Sequence, residues 1–200
     1  KPTLILGGGL MGLAIAHQLA RRGTAVRVIS RNRSEAAGFV AAGMLAPHAE
    51  GLSDALLQLG QASLELIPRW VAQIEVDSGL SCGLRACGIV VPFRSVDERD
   101  QYPTAGYGVA LDRDELENEL PGIGHCWTSG LLFEQDGQID NRRQLMRALE
   151  RACTSLNVRF MEGSDVQGLD CDASGTLRAI RLRDAIGEER SVPAEQAVLC

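Results

Sequence analysis

Apolar and polar positions follow different rhythms along the 200 residues, and the changes of rhythm mark the elements. Leu4-Ile5-Leu6 is an unbroken apolar run, the pattern of a buried strand. It passes through Gly7-Gly8-Gly9 into a segment where Leu13, Ala16, Leu19 and Ala20 recur at helical spacing. That helix is expected to run to about Arg22 and to stop at Gly23, a residue suited to the left-handed position after a helix. Thr24 to Ser30, with Val26, Val28 and Ile29 apolar, reads as a second strand, so the opening is expected to form one right-handed βαβ unit.

Arg31 to Ala36 is polar, and Ala37 to Leu45 is small and apolar, which predicts a buried segment. It reads either as a close-packed loop or as a backbone strip lying against a large flat ligand. From Ser53, a plausible N-cap, a long helical pattern carries Leu56, Gly60, Ser63, Ile67, Trp70 and Ile74 on one stripe and ends at Gly79. Pro68 inside it removes a helical hydrogen bond and predicts a kink or break. Strand character follows, with a buried-looking run in Cys82–Phe93 and another strand over Thr128–Gln135. Between them Asp112 and Glu115 form a capping box for a short helix that stops at Pro121-Gly122. Asp140 or Asn141 is expected to cap the next helix, with Leu145, Leu149, Ala152 and Cys153 as its buried stripe. Val158–Met161 reads as a strand, and Asp172-Ala173-Ser174-Gly175 as the turn of a hairpin. Val192–Cys200 returns toward the core. The fold class is therefore α/β (α+β overall), a Rossmann-like domain with an α+β insertion.

The glycine turn carries the first chemical argument. Gly7 lets the chain leave the strand through a tight turn, Gly9 removes bulk where a diphosphate approaches the backbone, and Gly12 lets the helix pack closely on the sheet. The free N–H groups and positive dipole end of the helix face the phosphates. After the second strand, an Asp or Glu is expected to hold the ribose hydroxyls, and Ser30-Arg31 stands there instead. Arg31 could pair with a 2′-phosphate, lie over an adenine, or pair with nearby acids, so this position alone leaves FAD, NAD and NADP open.

The net charge of −6 argues against non-specific binding to nucleic acid or anionic membranes. No apolar run is long enough to span a bilayer and no signal peptide is visible, so a cytoplasmic location is expected. The six cysteines show no CxxC pair and no metal-ligand spacing, and are read as free thiols. His17, His48 and His125 are scattered, so no nucleophilic or metal constellation can be assembled, and no catalytic residue is assigned. Arg142 and Arg143 read as solvated charge in preference to an anion site. The missing initial Met and the apolar final run lead to the expectation of an N-terminal fragment.

Gly7 to Gly12 followed by Ala41-Ala42-Gly43-Met44-Leu45-Ala46-Pro47-His48-Ala49-Glu50 resembles the FAD-dependent amine oxidases related to D-amino-acid oxidase. Within them the chain is most similar to the glycine oxidases of thiamine biosynthesis of the cyanobacterial type. Cys87–Pro92 and Asp136–Leu145 agree. The resemblance implies FAD as cofactor, with Leu10 and Met11 at the diphosphate turn, Ser30 and Arg31 at the adenosine, and Ala37 and Gly38 along the diphosphate. Ala42, Gly43 and Met44 are implied near the isoalloxazine and Val166 against the adenine. It further implies a discontinuous FAD-binding domain, 1–79 with 137–200, and the first part of an antiparallel substrate domain at 80–136. The implied partners are a small amine or amino acid and O2, a thiazole synthase, and further copies of the chain in a homo-oligomer. An NADP-dependent reductase, suggested by Arg31, and a non-catalytic flavin-binding module are the alternatives.

Overall fold

The computed structural model describes residues 1–139 and 143–200. In chain order the elements begin with β1 (Thr3–Leu6), α1 (Leu10–Arg21), β2 (Val26–Ile29), β3 (Met44–Leu45) and α2 (Asp54–Ser78). They continue with β4 (Leu84–Arg85), β5 (Ile89–Phe93), α3 (Val96–Asp100), β6 (Val109–Leu111), α4 (Arg113–Glu119), β7 (Ser129–Phe133) and β8 (Gly137–Ile139). The last are α5 (Gln144–Ser155), β9 (Arg159–Met161), β10 (Ser164–Cys171), β11 (Leu177–Asp184), β12 (Glu189–Pro193) and β13 (Ala197–Leu199). They group into two compact units, 1–42 with 73–82 and 141–200, and 43–72 with 83–140.

The first unit is built on a parallel sheet of order β13-β1-β2-β9. All four residues of β1 are buried, as a strand covered on both faces requires. Successive side chains point to opposite faces. Leu4 and Leu6 join Ile29, Ile180, Leu182 and Ala194 in one cluster, beneath the antiparallel sheet β10-β11-β12. Ile5 instead points at Gly12 of α1. Each such apolar side chain contributes about 2 kcal/mol by leaving water. Helix α1 buries Gly12, Leu13, Ala16 and His17 and ends with Gly23 at φ 80°. Helix α5 buries Leu145, Leu149, Ala152 and Cys153 as expected, with Met146 and Ala148 beside them. The expected cap at Asp140 or Asn141 lies outside the described residues. The hairpin at Asp172–Gly175 forms, with Gly175 at φ 80°. Val192–Cys200 divides in two: β12 pairs with β11, and only β13 reaches β1, because 194–196 turn the chain between sheets.

The second unit holds two antiparallel sheets, β3-β8-β4 and β5-β7-β6. Phe93, Leu131 and Phe133 form its centre, and the Phe93 and Tyr102 rings meet edge to face at 5.1 Å. The capping box of α4 is present in full, Asp112 accepting from Glu115 N and Glu115 from Asp112 N.

Three expectations are corrected. The stripe of α2 is shifted by one residue at its start: Leu57, Gly60, Leu64, Ile67, Val71, Ile74 and Ser78 turn inward, and Leu56 is 64% exposed. Pro68 does not break the helix, which runs through it from Asp54 to Ser78. The segment 37–45 is not buried: Ala37, Ala41 and Ala42 are exposed, as are Val40 and Met44. Only Gly38, Phe39, Gly43 and Leu45 of this stretch are half-buried.

Candidate dinucleotide site

Gly7 and Gly12, on either side of the turn after β1, each have a steric reason to be glycine. Gly7 has φ 126°, and a Cβ there would collide with the Cys200 carbonyl oxygen. A Cβ on Gly12 would collide with the Gly7 carbonyl oxygen, so only glycine lets α1 sit this close to the strand end. At Gly9 the nearest atom to an added Cβ is the Ala36 Cβ at 3.9 Å, so the limit there is not set by the chain's own packing. Gly9 is also the N-cap of α1, in extended conformation and without a side chain to accept from the first turn, which carries no acidic residue. The first N–H groups of α1 and the positive end of its dipole are thus left uncompensated.

The turn opens on a cleft of about 580 Å³, within the range of ligand sites. Gly8 to Gly12 line one side, Ser30 to Asn32 follow from the end of β2, and Glu35 to Gly38 with Ala41 line another. A larger cavity, about 770 Å³, lies by Gly23 to Arg27 at the amino ends of the strands. Parallel sheets receive ligands outside their carboxyl ends, where the glycine turn is, so the smaller cleft is the candidate. Bare main chain, an uncompensated helix start and an apolar flank suit an elongated anionic dinucleotide.

The structure brings Gly9, Leu10, Met11, Gly12, Ser30, Arg31, Ala37 and Gly38 to this cleft, with Gly7 shaping the turn behind it. Gly38 is tightly fitted, since a Cβ there would press on the Met146 sulfur. Ala42 follows Ala41 and is exposed. Gly43 and Met44 belong to the second unit, where the Gly43 carbonyl accepts from Ile139 N at 2.8 Å and Met44 pairs with Gln138. Val166 lies on β10, is not among the residues lining the cleft, and is 37% exposed. Sequence reasoning missed Asn32 and Glu35. The Asn32 side chain accepts from Ser34 N at 3.1 Å, an Asx turn that the Asn-x-Ser spacing could have signalled. Of the open readings for Arg31, the structure shows the acid: its Nη2 is 3.3 Å from Glu35 Oε2.

The scattered histidines find partners that spacing did not reveal. His17 Nε2 lies 2.8 Å from Asp77 Oδ2, which Arg21 also contacts. In the second unit His48 Nδ1 lies 2.6 Å from Asp136 Oδ1, and Asp136 Oδ2 accepts from Ala49 N. Neither pair lines the cleft. Among the described residues no group of three or more His, Cys, Asp or Glu is arranged to hold a metal ion. Likewise, no helix is long and apolar enough to cross a membrane.

Fold and cleft together define a dinucleotide-binding α/β protein with an antiparallel insertion. Residues 3–200 match the family described as DAO, FAD dependent oxidoreductase. The chain belongs to this family, and FAD is its cofactor. It is 37% identical over 170 residues to the bifunctional protein ThiO/ThiG of a Synechocystis species, a match taking in 84% of this chain and 25% of that protein. It is 25% identical over 202 residues to the glycine oxidase of Bacillus licheniformis, covering 98% of this chain and 53% of the relative. The solved glycine oxidase of Geobacillus kaustophilus shares its fold with a TM-score of 0.83 at 24% identity, over 99% of this chain and 54% of the other. The chain thus spans between a quarter and about half the length of these relatives.

Proposed function

We propose that the chain is the flavin-holding portion of an amine oxidase acting on glycine or another small amine or D-amino acid. The observation that carries this reading is the cleft at Gly9, where bare main chain heads an uncompensated helix start, in a chain matching an FAD dependent oxidoreductase family over residues 3–200. FAD held in this cleft would supply the electron acceptor for oxidising an amine to an imine and the reductant that converts O2 to hydrogen peroxide.

The chain's own residues bind and orient. Main-chain N–H groups of Leu10, Met11 and Gly12 donate to the diphosphate, and Gly9 admits it to the backbone. Ser30 and Arg31 border the adenosine, Ala37 and Gly38 the diphosphate, and Val166 the adenine. Ala42, Gly43 and Met44 contribute a thin apolar wall for the isoalloxazine, which keeps water from its ring. The 1–79 and 137–200 segments serve the cofactor, and 80–136 begins the substrate domain. The ThiO/ThiG name of the cyanobacterial relative supports an imine that feeds thiazole synthesis, with a thiazole synthase as partner. A cytoplasmic homo-oligomer completes the proposal.

The test is a peroxide assay of the full-length protein with a panel of amines including glycine and D-alanine. Yellow protein and amine-dependent peroxide are expected. A colourless protein that binds NADPH and releases no peroxide would overturn the reading.

A further inference from the structure

The dinucleotide motif calls for a carboxylate at the end of the second strand to accept from the ribose hydroxyls, and in this chain Ser30 occupies that place. The cleft nonetheless has one carboxylate among its lining residues, Glu35, on the 3-10 turn Arg33–Glu35 that follows β2. Its position is organised. Asn32 Nδ2 donates to Glu35 Oε1 at 3.1 Å, and Arg31 Nη2 to Oε2 at 3.3 Å. The Asn32 carbonyl oxygen is itself held by Ser34 N and Ser34 Oγ, so the amide is fixed with its N–H groups toward Glu35. The carboxylate is 58% exposed, leaving lone pairs open to the cleft. Arg31 balances its charge, which keeps a carboxylate compatible with a neighbouring diphosphate.

We infer that Glu35, steadied by Asn32 and Arg31, accepts from the adenosine ribose hydroxyls of FAD and replaces the acid missing at Ser30. This rests on the cleft reading above. A carboxylate accepting from a vicinal diol makes charge-assisted hydrogen bonds, stronger than the single neutral one that Ser30 offers. Arg31 then acts as a positioning residue and not as a 2′-phosphate ligand, in keeping with FAD.

The test measures binding of FAD, and of its analogue with 2′-deoxyadenosine, to the full-length apoprotein by flavin fluorescence. Variants are Glu35→Ala, Glu35→Asp, Ser30→Ala and, as a control on the cleft itself, Gly9→Leu. Glu35→Ala should weaken FAD binding about tenfold to a hundredfold, the range for hydrogen bonds to a charged group. It should also abolish the preference for FAD over the deoxy analogue, with Glu35→Asp restoring part of both. The inference is overturned if Glu35→Ala binds both compounds as the unaltered protein does, or if Ser30→Ala alone removes the preference. Gly9→Leu separates the two readings. If it abolishes FAD binding while Glu35→Ala leaves it intact, only the ribose assignment fails. If Gly9→Leu binds FAD normally, the cleft reading and the ribose assignment both fail.

Discussion

His48 and Asp136 are 88 residues apart in sequence, yet Nδ1 of one stands 2.6 Å from Oδ1 of the other, both fully or almost fully buried. Gln61 Nε2 is 3.2 Å from His48 Nε2, and Thr104 Oγ1 donates to the His48 carbonyl. These partners assign the Nδ1–H tautomer, with Nδ1 donating to the carboxylate and Nε2 accepting from Gln61. Asp136 ties the Pro47–Ala49 stretch to the turn before β8, so the pair is a structural lock of the second unit.

Removing one side of that lock leaves buried donors without acceptors. Asp136→Ala should lower stability by about 3 kcal/mol, and Asp136→Asn, which keeps an acceptor, by less. Urea unfolding with flavin removed measures it. Equal stability of Asp136→Ala and the unaltered protein would show that the pair holds nothing together.

The glycines of the turn should separate stability from flavin binding. At Gly12 a methyl gains about 1 kcal/mol in helix propensity, but it meets the immovable Gly7 carbonyl, and overpacking costs about 1–3 kcal/mol or more. Gly12→Ala is expected to be net destabilising and to lower the melting temperature. At Gly9 an added Cβ makes only an ordinary contact with the Ala36 Cβ at 3.9 Å, so Gly9→Leu should cost the apoprotein no more than a poorer N-cap does, about 1 kcal/mol, while flavin binding is lost. Calorimetry and flavin absorbance on the same preparations check both, and equal behaviour of the two variants would contradict the division of roles.

At the tip of the β10–β11 hairpin, hydrogen bonds from Ser174 Oγ, Arg178 and the Thr176 and Ser174 amides hold the Asp172 carboxyl down to about 2. The folded state therefore prefers the carboxylate more than the unfolded chain does. This stabilisation is fully present above about pH 4, the ordinary aspartate range, and is lost as pH falls toward 2. An NMR titration following Asp172 should find its midpoint well below the ordinary aspartate value of 3.8, and Ser174→Ala should raise it. A midpoint near 4 in the unaltered protein would refute the Asx-turn account.

Burial pushes the Cys153 thiol up to about 12 and the Cys82 thiol to about 11. Cys87, Cys126, Cys171 and Cys200 are exposed. Four thiols should react with a disulfide reagent in the native protein, Cys200 more slowly because burial raises it too, and two more only on unfolding. Because both buried thiols titrate above their unfolded value of 9.0, they add stability that is present below pH 9 and lost as the pH climbs toward 11 and 12. Six fast thiols in the native state would contradict this.

What was legible in the sequence is what local chemistry decides. Gly7 and Gly12 could be read because each relieves a clash that the strand-turn-helix geometry forces, and Gly9 because the motif leaves the backbone bare at the head of the helix. The Asp112 box and the Asp172 turn could be read because their partners are within a few residues. The His48–Asp136 and His17–Asp77 pairs could not, since only the finished fold brings positions 88 and 60 residues apart together. Leu56 and Leu57 are equally apolar, and the choice of inward face on α2 is made by what lies beneath the helix. The exposure of Ala37, Val40, Ala41, Ala42 and Met44 ran against hydrophobicity because a run of small apolar residues reads the same whether or not the chain packs over it. Glu35 escaped notice because the motif directs attention to the strand end, and Glu35 lies on the 3-10 turn that follows.

The Gly7 backbone packs on the carbonyl of Cys200, and β13 lies beside β1. The turn after β1 is thus completed by residues nearly two hundred positions further along the chain. Helix α1 can coil early from local interactions, but its mouth takes final form only when that distant strand docks. Nascent chains arrested ahead of Ala197 should be helical and yet fail to capture the vitamin-derived cofactor.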